Sequence, residues 1–536
     1  MTQPDGFRGV FRDDAAARAV YAEAAGIARI MPIAVAVPAD ADDVVTLVRW
    51  AASTGTPLIP RGSGSSMAGG AIGAGVIVDL SRLDTIGPVR GETITVGPGA
   101  IAAQVNRAAA TAGLRFPVDP SSAEFCTVGG MAATNAAGAH TLRFGSMRRW
   151  VTALDCVFAD GTRRVVRRGA ELGAGLDAEL HAGSSAGLDP TKLDPKEPTS
   201  FRHPGVRKDS SGYDTSGDLI DLLVGSEGTL ALFVGLELAL TPLPAATASL
   251  LAAFPSLDAA VAATAAARNA AVACELLDKT FLDVAESGGT AKRVPTGTEA
   301  VLLIELEGDT ETAVATAARA LAAAITHAGA TRVDLALDAE SEHTLWSLRH
   351  AASPILSRLD PSLKSMQFIE DAAVPPAHLA EYVQGVRAAL TRHDLRGVIF
   401  GHAGDAHIHV NPLIDVRRPD WRPRLDAVLA DVTALTARLG GTLTGEHGDG
   451  RLRTPLLAEV WPAAARAQFA RIKHTFDPHN ILNPGVKVPL PDQHAVTDVK
   501  YDPSLPPLPP PAAAALHRVE RDRAYARSRL DLLAEP

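Results

Sequence analysis

The chain has 536 residues, enough for about two to four domains, and its 61 acidic and 51 basic residues give a formal net charge of −10. This negative charge excludes a general electrostatic attraction to nucleic acid or to an anionic membrane. Three cysteines, Cys126, Cys156 and Cys274, are too few for a disulfide scaffold, a four-cysteine zinc site or an iron–sulfur cluster held by four cysteines of this chain.

The N-terminus and the apolar stretches predict a chain without a signal peptide or a membrane span. The first residues lack a basic segment followed by an apolar core. Charged residues interrupt the alanine-rich stretch 257–276, and no uncharged run approaches the roughly 20 residues that a spanning helix needs. We therefore expect an intracellular protein of the cytoplasm, with a peripheral position at the inner face of the membrane as the alternative.

Short strands alternate with helices and glycine turns in the first half of the chain. The pattern predicts helices over 13–25 and 102–112 and buried strands over Gly75–Leu80 and Thr93–Val96. Residues 168–204 are rich in Gly, Ser, Pro and Asp without a period, which predicts a surface loop or insertion.

A second alternation of strands and helices begins near residue 244 and predicts an α+β domain. Val301–Glu307 and Val398–Phe400 are expected to be strands, and 312–328 and 424–439 are expected to be helices. This organisation ends near residue 488.

The last part of the chain has a different composition. Asp502–Pro511 is proline-rich and predicts a stiff extended linker, and the charged stretch His517–Leu533 predicts a short helix. We expect residues 488–536 to form a Pro-rich tail.

Three glycine clusters mark the first half: Pro60–Gly70, Val128–Gly138 and Val224–Leu230. Glycine permits positive φ and close approach to a ligand, and successive free N–H groups form a nest for phosphate. One such cluster is usually only a tight turn, but three clusters beside predicted strands favour a binding role. Met67 breaks the Gly-x-Gly-x-x-Gly spacing and no P-loop motif occurs, which disfavours both of those nucleotide sites.

Histidines are concentrated in Gly401–Pro412, and Glu446 lies in a second glycine-rich segment. If residues 403–406 form a turn between two strands, His402 lies opposite His407, and alternation sends His407, His409 and Asn411 to one face. His402 and His409 are then diagonal neighbours within reach of one metal ion.

This donor set has a plain chemical interpretation. With Glu446 as a third ligand, two imidazoles and a carboxylate suit Zn²⁺, Mn²⁺ or Fe²⁺ and leave positions open for a substrate. A single histidine is more often structural, but the clustering of His402, His407, His409 and His447 with an adjacent glutamate favours the metal site. The segment Glu446-His447 lacks the second histidine of a helical zinc-protease motif.

The glycine clusters, together with Val96–Ala100, resemble the FAD-binding domain of the vanillyl-alcohol oxidase / p-cresol methylhydroxylase family over roughly residues 30–243. The resemblance implies a two-part α+β FAD-binding domain. Ser65-Ser66 stands where some relatives attach the flavin to a histidine, which implies non-covalent FAD. The cofactor contacts that the resemblance implies are Arg61, Gly62, Ser63, Gly64, Ser65, Pro120, Ser122, Thr127, Gly130, Asn135, Gly138, Glu227, Gly228 and Asn483.

The histidine segments resemble the metal-containing cap of FAD-dependent D-2-hydroxyacid dehydrogenases, which act on D-lactate, glycolate or D-2-hydroxyglutarate. Phe476–Gly485 is similar to the C-terminal signature of that family, which returns to the flavin. The resemblance implies an α+β cap domain with an antiparallel sheet plus helices. The site residues that it implies are the metal ligands His402, His409 and Glu446, the catalytic base His447, and the substrate-binding residues Arg349 and Asn411.

The chain departs from this family at several points. His407 stands where many relatives have Asn, so a different metal ligation or substrate contact is open. Ile369–Pro375 contains no lysine, although the hydroxyglutarate enzymes place a substrate-binding lysine there, which disfavours that substrate. Arg207–Asp214 and Gly448–Arg453 resemble long relatives with a fused iron–sulfur domain, whose cysteines this chain lacks.

Four segments are therefore expected. They are an N-terminal helical segment at 1–29, the FAD-binding domain at 30–243 with an insertion at about 168–204, a cap domain with the metal site and the flavin-returning segment at 244–487, and the tail at 488–536.

The expected reaction is oxidation of a D-2-hydroxy acid to the 2-oxo acid by hydride transfer to flavin N5, with a divalent metal, zinc first, and a histidine base. The electron acceptor is left open among a quinone, an electron-transfer flavoprotein and a separate iron–sulfur subunit, and a homodimer is one candidate assembly. Three alternatives remain: a metal-independent phenol- or alcohol-oxidising flavoenzyme, an FAD-binding electron-transfer or scaffold subunit, and a metallohydrolase, which leaves the glycine clusters unexplained.

Overall fold

The computed structural model describes residues 1–169, 201–287, 294–356 and 362–535. The insertion predicted at 168–204 therefore lies almost entirely outside the described residues. No helix in the described ranges is both long enough and apolar enough to cross a membrane.

A four-stranded sheet opens the part of the chain that the resemblance assigns to FAD binding, called the FAD-binding part below. Its two central strands are apolar and fully buried, which is typical of strands covered on both faces. The helix predicted at 13–25 is shorter: Asp14 caps its first turn, and Val20 is its last residue. In spatial order the strands are Val10–Arg12, Ala34–Val37, Val76–Asp79 and Leu58–Arg61, antiparallel in the first pair and parallel in the other two. The flanking helices are Ala15–Val20 and Ala41–Thr54.

A second, antiparallel sheet of five strands completes this part. The predicted strand Thr93–Val96 is confirmed, and the helix predicted at 102–112 ends two residues earlier. In spatial order the strands are Ile86–Arg90, Thr93–Val96, Ala231–Ala239, Val151–Phe158 and Arg163–Arg167. A two-stranded ribbon pairs Leu114–Arg115 with Thr241–Pro242. The helical segments are Ala102–Ala110, Val128–Thr134, Thr141–Phe144, Met147–Trp150 and Leu219–Leu223.

The cap is built on a seven-stranded sheet in which every pair of neighbouring strands is antiparallel. In spatial order its strands are Arg332–Ala336, Ala246–Phe254, Ala300–Gly308, Ala273–Asp278, Arg396–His402, His407–Asp415 and Leu363–Ser365. Its helical segments are Leu257–Ala267, Lys279–Ser287, Glu311–His327, Ala339–Leu356, Pro376–His378, Leu379–Arg392, Ala403–Asp405 and Trp421–Arg438. The expected α+β fold with an antiparallel cap sheet is confirmed.

The C-terminal part returns to the FAD-binding part through Gly450–Arg453, Thr454–Leu456, Leu457–Val460 and Ala463–Phe476. The tail differs from the prediction. A helix begins at Pro510, inside the expected linker, because proline at the first helical position loses no hydrogen bond. The helix predicted at His517–Leu533 is divided at Arg523, whose φ is 53°. The segments are Pro510–Asp522, Ala524–Ala526 and Arg529–Ala534.

Candidate active site

One large cavity, of about 770 Å³, runs between the glycine loops of the FAD-binding part and the cap sheet. It is lined on one side by residues 60–66 and 119–140 and on the other by strands and loops of the cap. Most of the site residues expected from the sequence lie in its wall. They are Arg61, Gly62, Ser63, Gly64, Ser65, Pro120, Ser122, Thr127, Gly130, Gly138, Glu227, Gly228, Arg349, His402, His409, Asn411, Glu446 and His447.

Two glycines of the first loop are required by its geometry. A Cβ on Gly62 would lie 2.0 Å from Thr127 Oγ1, so only glycine lets the loop at residues 60–66 approach the loop that contains Thr127 this closely. Gly64 has a φ of +73°, the left-handed conformation that turns the loop toward the cavity. Within the described residues, the backbone N–H groups of Ser63, Gly64 and Ser65 have no protein acceptor. This loop fits the diphosphate of FAD, because successive free N–H groups bind phosphate.

Asn135 and Asn483 lie outside the cavity wall. Both are buried and have positive φ, 53° and 45°, a conformation in which asparagine is enriched. Asn135 donates to Ser210 Oγ, and Asn483 donates to the carbonyl oxygens of Gly70 and Glu227. The structure therefore places their amides against neighbouring loops and not toward the cofactor space.

His402, His409 and Glu446 lie together at the cap end of the cavity. Glu446 Oε1 is 3.1 Å from His402 Nε2 and 3.4 Å from His409 Nε2. His402 and His409 lie diagonally across two paired strands, as the turn at residues 403–406 predicts, with ring centroids 5.2 Å apart.

The far nitrogens of both rings are already engaged. His402 Nδ1 lies 2.6 Å from Glu275 Oε1, and His409 Nδ1 lies 2.7 Å from the carbonyl oxygen of Glu370. Because carboxylate and carbonyl oxygens only accept, each Nδ1 carries a hydrogen, and Nε2 of each ring is the atom directed at Glu446 Oε1. Two imidazole nitrogens and one carboxylate oxygen that converge in this way fit a metal ion, which binds a histidine nitrogen in place of its proton.

Glu275 also binds Arg349, the residue expected to bind the substrate. Arg349 Nε donates to Glu275 Oε2 at 2.8 Å, and Glu275 is fully buried. Although desolvation raises its pKa, the positive charges of His402 and Arg349 outweigh burial and hold the pKa of Glu275 below its usual value. A single carboxylate therefore orients both the metal-ligand candidate and the arginine.

Lys208 supplies a buried counter-charge to Glu446. Its Nζ donates to Glu446 Oε2 at 2.9 Å and to the carbonyl oxygen of Gly138 at 3.1 Å. Burial raises the pKa of Glu446, but Lys208 and His402 hold it well below the usual value. Glu446 is thus ionised, as a metal ligand must be.

His447 lies beside this cluster, its ring stacked on His409 with centroids 5.3 Å apart. Its Nδ1 is 3.2 Å from Glu370 Oε1 and 3.4 Å from Asp371 Oδ1. Burial lowers its pKa, but Asp371 and Glu370 outweigh burial and raise the pKa of His447 to about 9. Without a bound cation, the imidazolium is therefore favoured at pH 7, whereas the sequence analysis expects a neutral base.

His407 is fully buried and lies behind Gly445, outside the cavity wall. Its Nε2 is 2.9 Å from Asp371 Oδ1, and its Nδ1 has no hydrogen-bond partner. Burial is the main cause that lowers the pKa of His407 to about 3, so the ring is neutral. With Nε2–H donating to Asp371, Nδ1 carries a lone pair, and His407 belongs to the same potential ligand group as His402, His409 and Glu446.

Several important residues were missed by the sequence analysis. Glu275, Glu370 and Asp371 are acidic residues inside apolar stretches, and this pattern is a usable signal for a buried charge with a partner. Lys364, on strand Leu363–Ser365, lines the cavity, although no lysine was found in the neighbouring stretch. Lys208 gave no local signal, because its partner Glu446 is 238 residues away.

Comparisons with known proteins agree with this arrangement. Residues 32–167 match the FAD binding domain, and residues 243–486 match the C-terminal domain of FAD linked oxidases. The glycolate oxidase subunit GlcD of Bacillus subtilis is 32% identical over 89% of this chain and 93% of its own length. The D-lactate dehydrogenase of Archaeoglobus fulgidus is 29% identical over 84% of this chain and 89% of its own length.

One further relative and one solved structure are also similar to this chain. The D-2-hydroxyglutarate dehydrogenase of Pseudomonas putida is 31% identical over 92% of this chain but only 52% of its own length. Among solved structures, the 4-ethylphenol oxidase from Gulosibacter chungangensis aligns with a TM-score of 0.67 at 17% identity, covering 90% of this chain and 94% of that chain. This last likeness concerns the fold alone.

Proposed function

The chain belongs to the FAD linked oxidases, and from this we propose that it oxidises a D-2-hydroxy acid to the 2-oxo acid. The names of three relatives support this substrate class, since they are a glycolate oxidase subunit, a D-lactate dehydrogenase and a D-2-hydroxyglutarate dehydrogenase. FAD, when bound, accepts the hydride of the substrate Cα at flavin N5.

The observation that carries the proposal is the convergence of His402 Nε2, His409 Nε2 and Glu446 Oε1 in the wall of the cofactor cavity. A divalent metal held by these three residues would supply positive charge for a developing alkoxide and would lower the pKa of a neighbouring histidine. A phenol oxidation that uses no metal leaves these donors without a role.

Four further residues act on the substrate in this proposal. Arg349, fixed by Glu275, binds the substrate carboxylate, and Asn411 binds it from strand His407–Asp415. His447 accepts the hydroxyl proton, and Glu370 and Asp371 stabilise the imidazolium that results. Lys364, which also lines the cavity, offers an ammonium group for an acidic substrate side chain, which reopens the hydroxyglutarate class.

His407 is a fourth candidate donor for the metal. Its unpartnered Nδ1 and the Asp371 carboxylate at its other nitrogen form the arrangement that orients histidine ligands in metal sites. Zinc remains the first candidate, with manganese or iron as alternatives, because three imidazoles and one carboxylate suit each of these ions.

The domain division proposed here follows the sequence: 1–29, 30–243, 244–487 and 488–536. The electron acceptor is proposed among a quinone, an electron-transfer flavoprotein and a separate iron–sulfur subunit, and a homodimer stays a candidate assembly. The cytoplasm, or the inner face of the membrane for a quinone acceptor, is the proposed location.

An anaerobic titration tests the function. The purified flavoprotein is mixed with D-lactate, glycolate, D-2-hydroxyglutarate or larger D-2-hydroxy acids, before and after EDTA treatment, and the flavin absorbance is followed. We expect one acid to reduce the flavin, and EDTA to prevent this reduction until a divalent metal is restored. Reduction that is unaffected by EDTA would contradict the metal proposal, and the absence of reduction by every acid would contradict the substrate class.

A further inference from the structure

The C-terminal segment 510–535 packs against the FAD-binding part, beyond residue 486, where the family match ends. Helices Pro510–Asp522 and Arg529–Ala534 contact helix Ala15–Val20 and share one apolar cluster with the first sheet. The buried residues that the segment contributes are Ala512, Ala515, Leu516, Val519, Leu530 and Leu532. Burial of this apolar surface stabilises the docked position.

Docking brings Arg529 directly behind the first glycine loop. Its Nη2 donates to the carbonyl oxygen of Ser63 at 2.8 Å, and the residue is only 3% exposed. Its other hydrogen bonds go to carbonyl oxygens of its own segment, and its Nε has no partner. This bond uses the Ser63 carbonyl, whereas the N–H groups of residues 63–65 have no acceptor among the described residues and are free to bind an anion.

Arg61 places a second buried guanidinium at the same loop. It donates only to carbonyl oxygens, those of Tyr21, Glu23 and Ala71, and its Nε has no partner. Desolvation first, and then the charge of Arg529, lower the pKa of Arg61 to about 10.

The positive charge at this loop is only partly balanced by the protein. In the ranges that the structure covers, neither guanidinium forms an ion pair. The nearby carboxylate of Asp79, which accepts from Tyr21 and from the backbone N–H of Ser81, supplies one negative charge against the two guanidinium groups. Buried cations without a partner are costly unless an anion binds beside them. The free N–H groups of residues 63–65 point to where that anion binds.

The same segment also forms part of the cavity wall. Tyr525 packs on Phe125 with ring centroids 5.2 Å apart, and the Arg523 guanidinium lies 4.9 Å from the Phe125 ring. All three residues line the cavity, and Phe125 lies between Ser122 and Thr127, two of the residues expected to contact the cofactor. The segment thus closes the cavity across both loops.

We propose that the C-terminal segment is part of the FAD site: Arg529 positions the glycine loop through Ser63 and supplies positive charge for the diphosphate, and Arg523 and Tyr525 close the wall beside Phe125. This inference rests on FAD binding, which the proposed function also uses. It does not depend on the substrate or on the metal.

The test measures FAD release from the full-length holoenzyme as the rise of flavin fluorescence after dilution, without substrate. Arg529→Met keeps the length and the apolar packing of the side chain but removes its charge, and Arg529→Lys keeps the charge. Arg527→Met is the matched control, because Arg527 is half-exposed and its side chain pairs, among the described residues, with Glu535 at the surface.

We expect Arg529→Met to release FAD at least about tenfold faster than the parent, since a hydrogen bond from a buried charged group is lost. Arg529→Lys is expected to release it within about threefold of the parent rate, and Arg527→Met at the parent rate. Release from Arg529→Met within twofold of the parent would overturn the proposal, and equally fast release from Arg529→Met and Arg529→Lys would overturn the role of charge.

A second variant covers the case in which Arg529→Met does not fold. Arg523→Gln removes the guanidinium from the Phe125 ring at the cavity wall without opening the apolar cluster. We expect it to release FAD measurably faster than Arg527→Met, and equal rates would overturn the role of the segment. Because no substrate is present, failure of every D-2-hydroxy acid to reduce the flavin would leave this result intact.

Discussion

Glu275→Gln is the substitution that separates the metal proposal from a purely structural role of the histidine cluster. The Glu275 carboxylate accepts from Arg349 Nε at 2.8 Å and lies 2.6 Å from His402 Nδ1. Glutamine keeps the shape of the side chain but has one acceptor oxygen, and its amide group faces the other donor. Either the arginine or the histidine therefore loses its partner.

The magnitude follows from the burial of this contact. Removing one partner of a buried ionic contact costs about 3–5 kcal/mol, because the other charge stays buried without compensation. Loss of the carboxylate behind a histidine ligand lowers metal affinity by about 10–100-fold, which corresponds to about 1.4–2.7 kcal/mol. We therefore expect both a loss of stability and a specific loss of metal affinity.

Glu23→Gln is the matched control. Glu23 has 10% of its side chain exposed and pairs with Arg29 Nε at 2.6 Å, outside the histidine cluster. It should lower the free energy of unfolding without changing metal binding. The assay is competition for zinc with a chromophoric chelator, together with urea unfolding. Equal zinc affinity of the Glu275 and Glu23 variants, within twofold, would refute the reasoning.

Three other substitutions test separate parts of the site. His447→Ala should slow flavin reduction by substrate by about 10²–10⁴-fold while FAD stays bound, as stopped-flow absorbance would detect; a parent-like rate would exclude the base. His407→Asn should weaken zinc binding by at least about tenfold in the chelator assay, and unchanged affinity would remove the fourth donor. Burial raises the pKa of Asp278 to about 7. Asp278 therefore stays protonated to a higher pH in the folded state than in the unfolded state. As a result, the free energy of unfolding falls by up to about 4 kcal/mol as pH rises from about 4 to about 7. Asp278→Asn should flatten this slope in a urea unfolding series, and an unchanged slope would assign it to other groups.

Local patterns were sufficient to predict the histidine pair. The turn at residues 403–406 fixes which strand residues lie opposite each other, so alternation places His402 and His409 as diagonal neighbours. The glycine loops were predictable for a similar reason, because the contact between Gly62 and Thr127 leaves no space for a side chain. In both cases the constraint is steric and depends on a few adjacent residues.

Charge partners from distant parts of the chain could not be predicted in this way. Glu275 meets His402 across 127 residues, and Lys208 meets Glu446 across 238. The only local signal was a charge in an apolar stretch, which says that a partner exists but not which residue it is. For Asn135 and Asn483, which the resemblance assigns to the cofactor, the positive φ is a second reason for asparagine, and a local pattern does not distinguish the two.

The tail shows how composition can conceal periodicity. Ala512, Ala515, Leu516 and Val519 follow the spacing of an amphipathic helix, but the preceding prolines favoured an extended linker. The apolar face of this helix required a covering surface, and the first sheet provides it.

Charge balance explains why the cap end of the cavity favours a cation. In the described residues, four buried carboxylates, those of Glu275, Glu370, Asp371 and Glu446, meet there with three permanent cations, on Lys208, Arg349 and Arg453. The remaining negative charge is balanced by protons on histidines, whose pKa is raised at His402 and His447, or by a metal ion that replaces them. At the other end of the cavity, Arg61 and Arg529 form no ion pair with a described residue. The two ends therefore attract ligands of opposite charge, and a flavin dinucleotide with its diphosphate at the glycine loops leaves the cap end for the metal and the hydroxy acid.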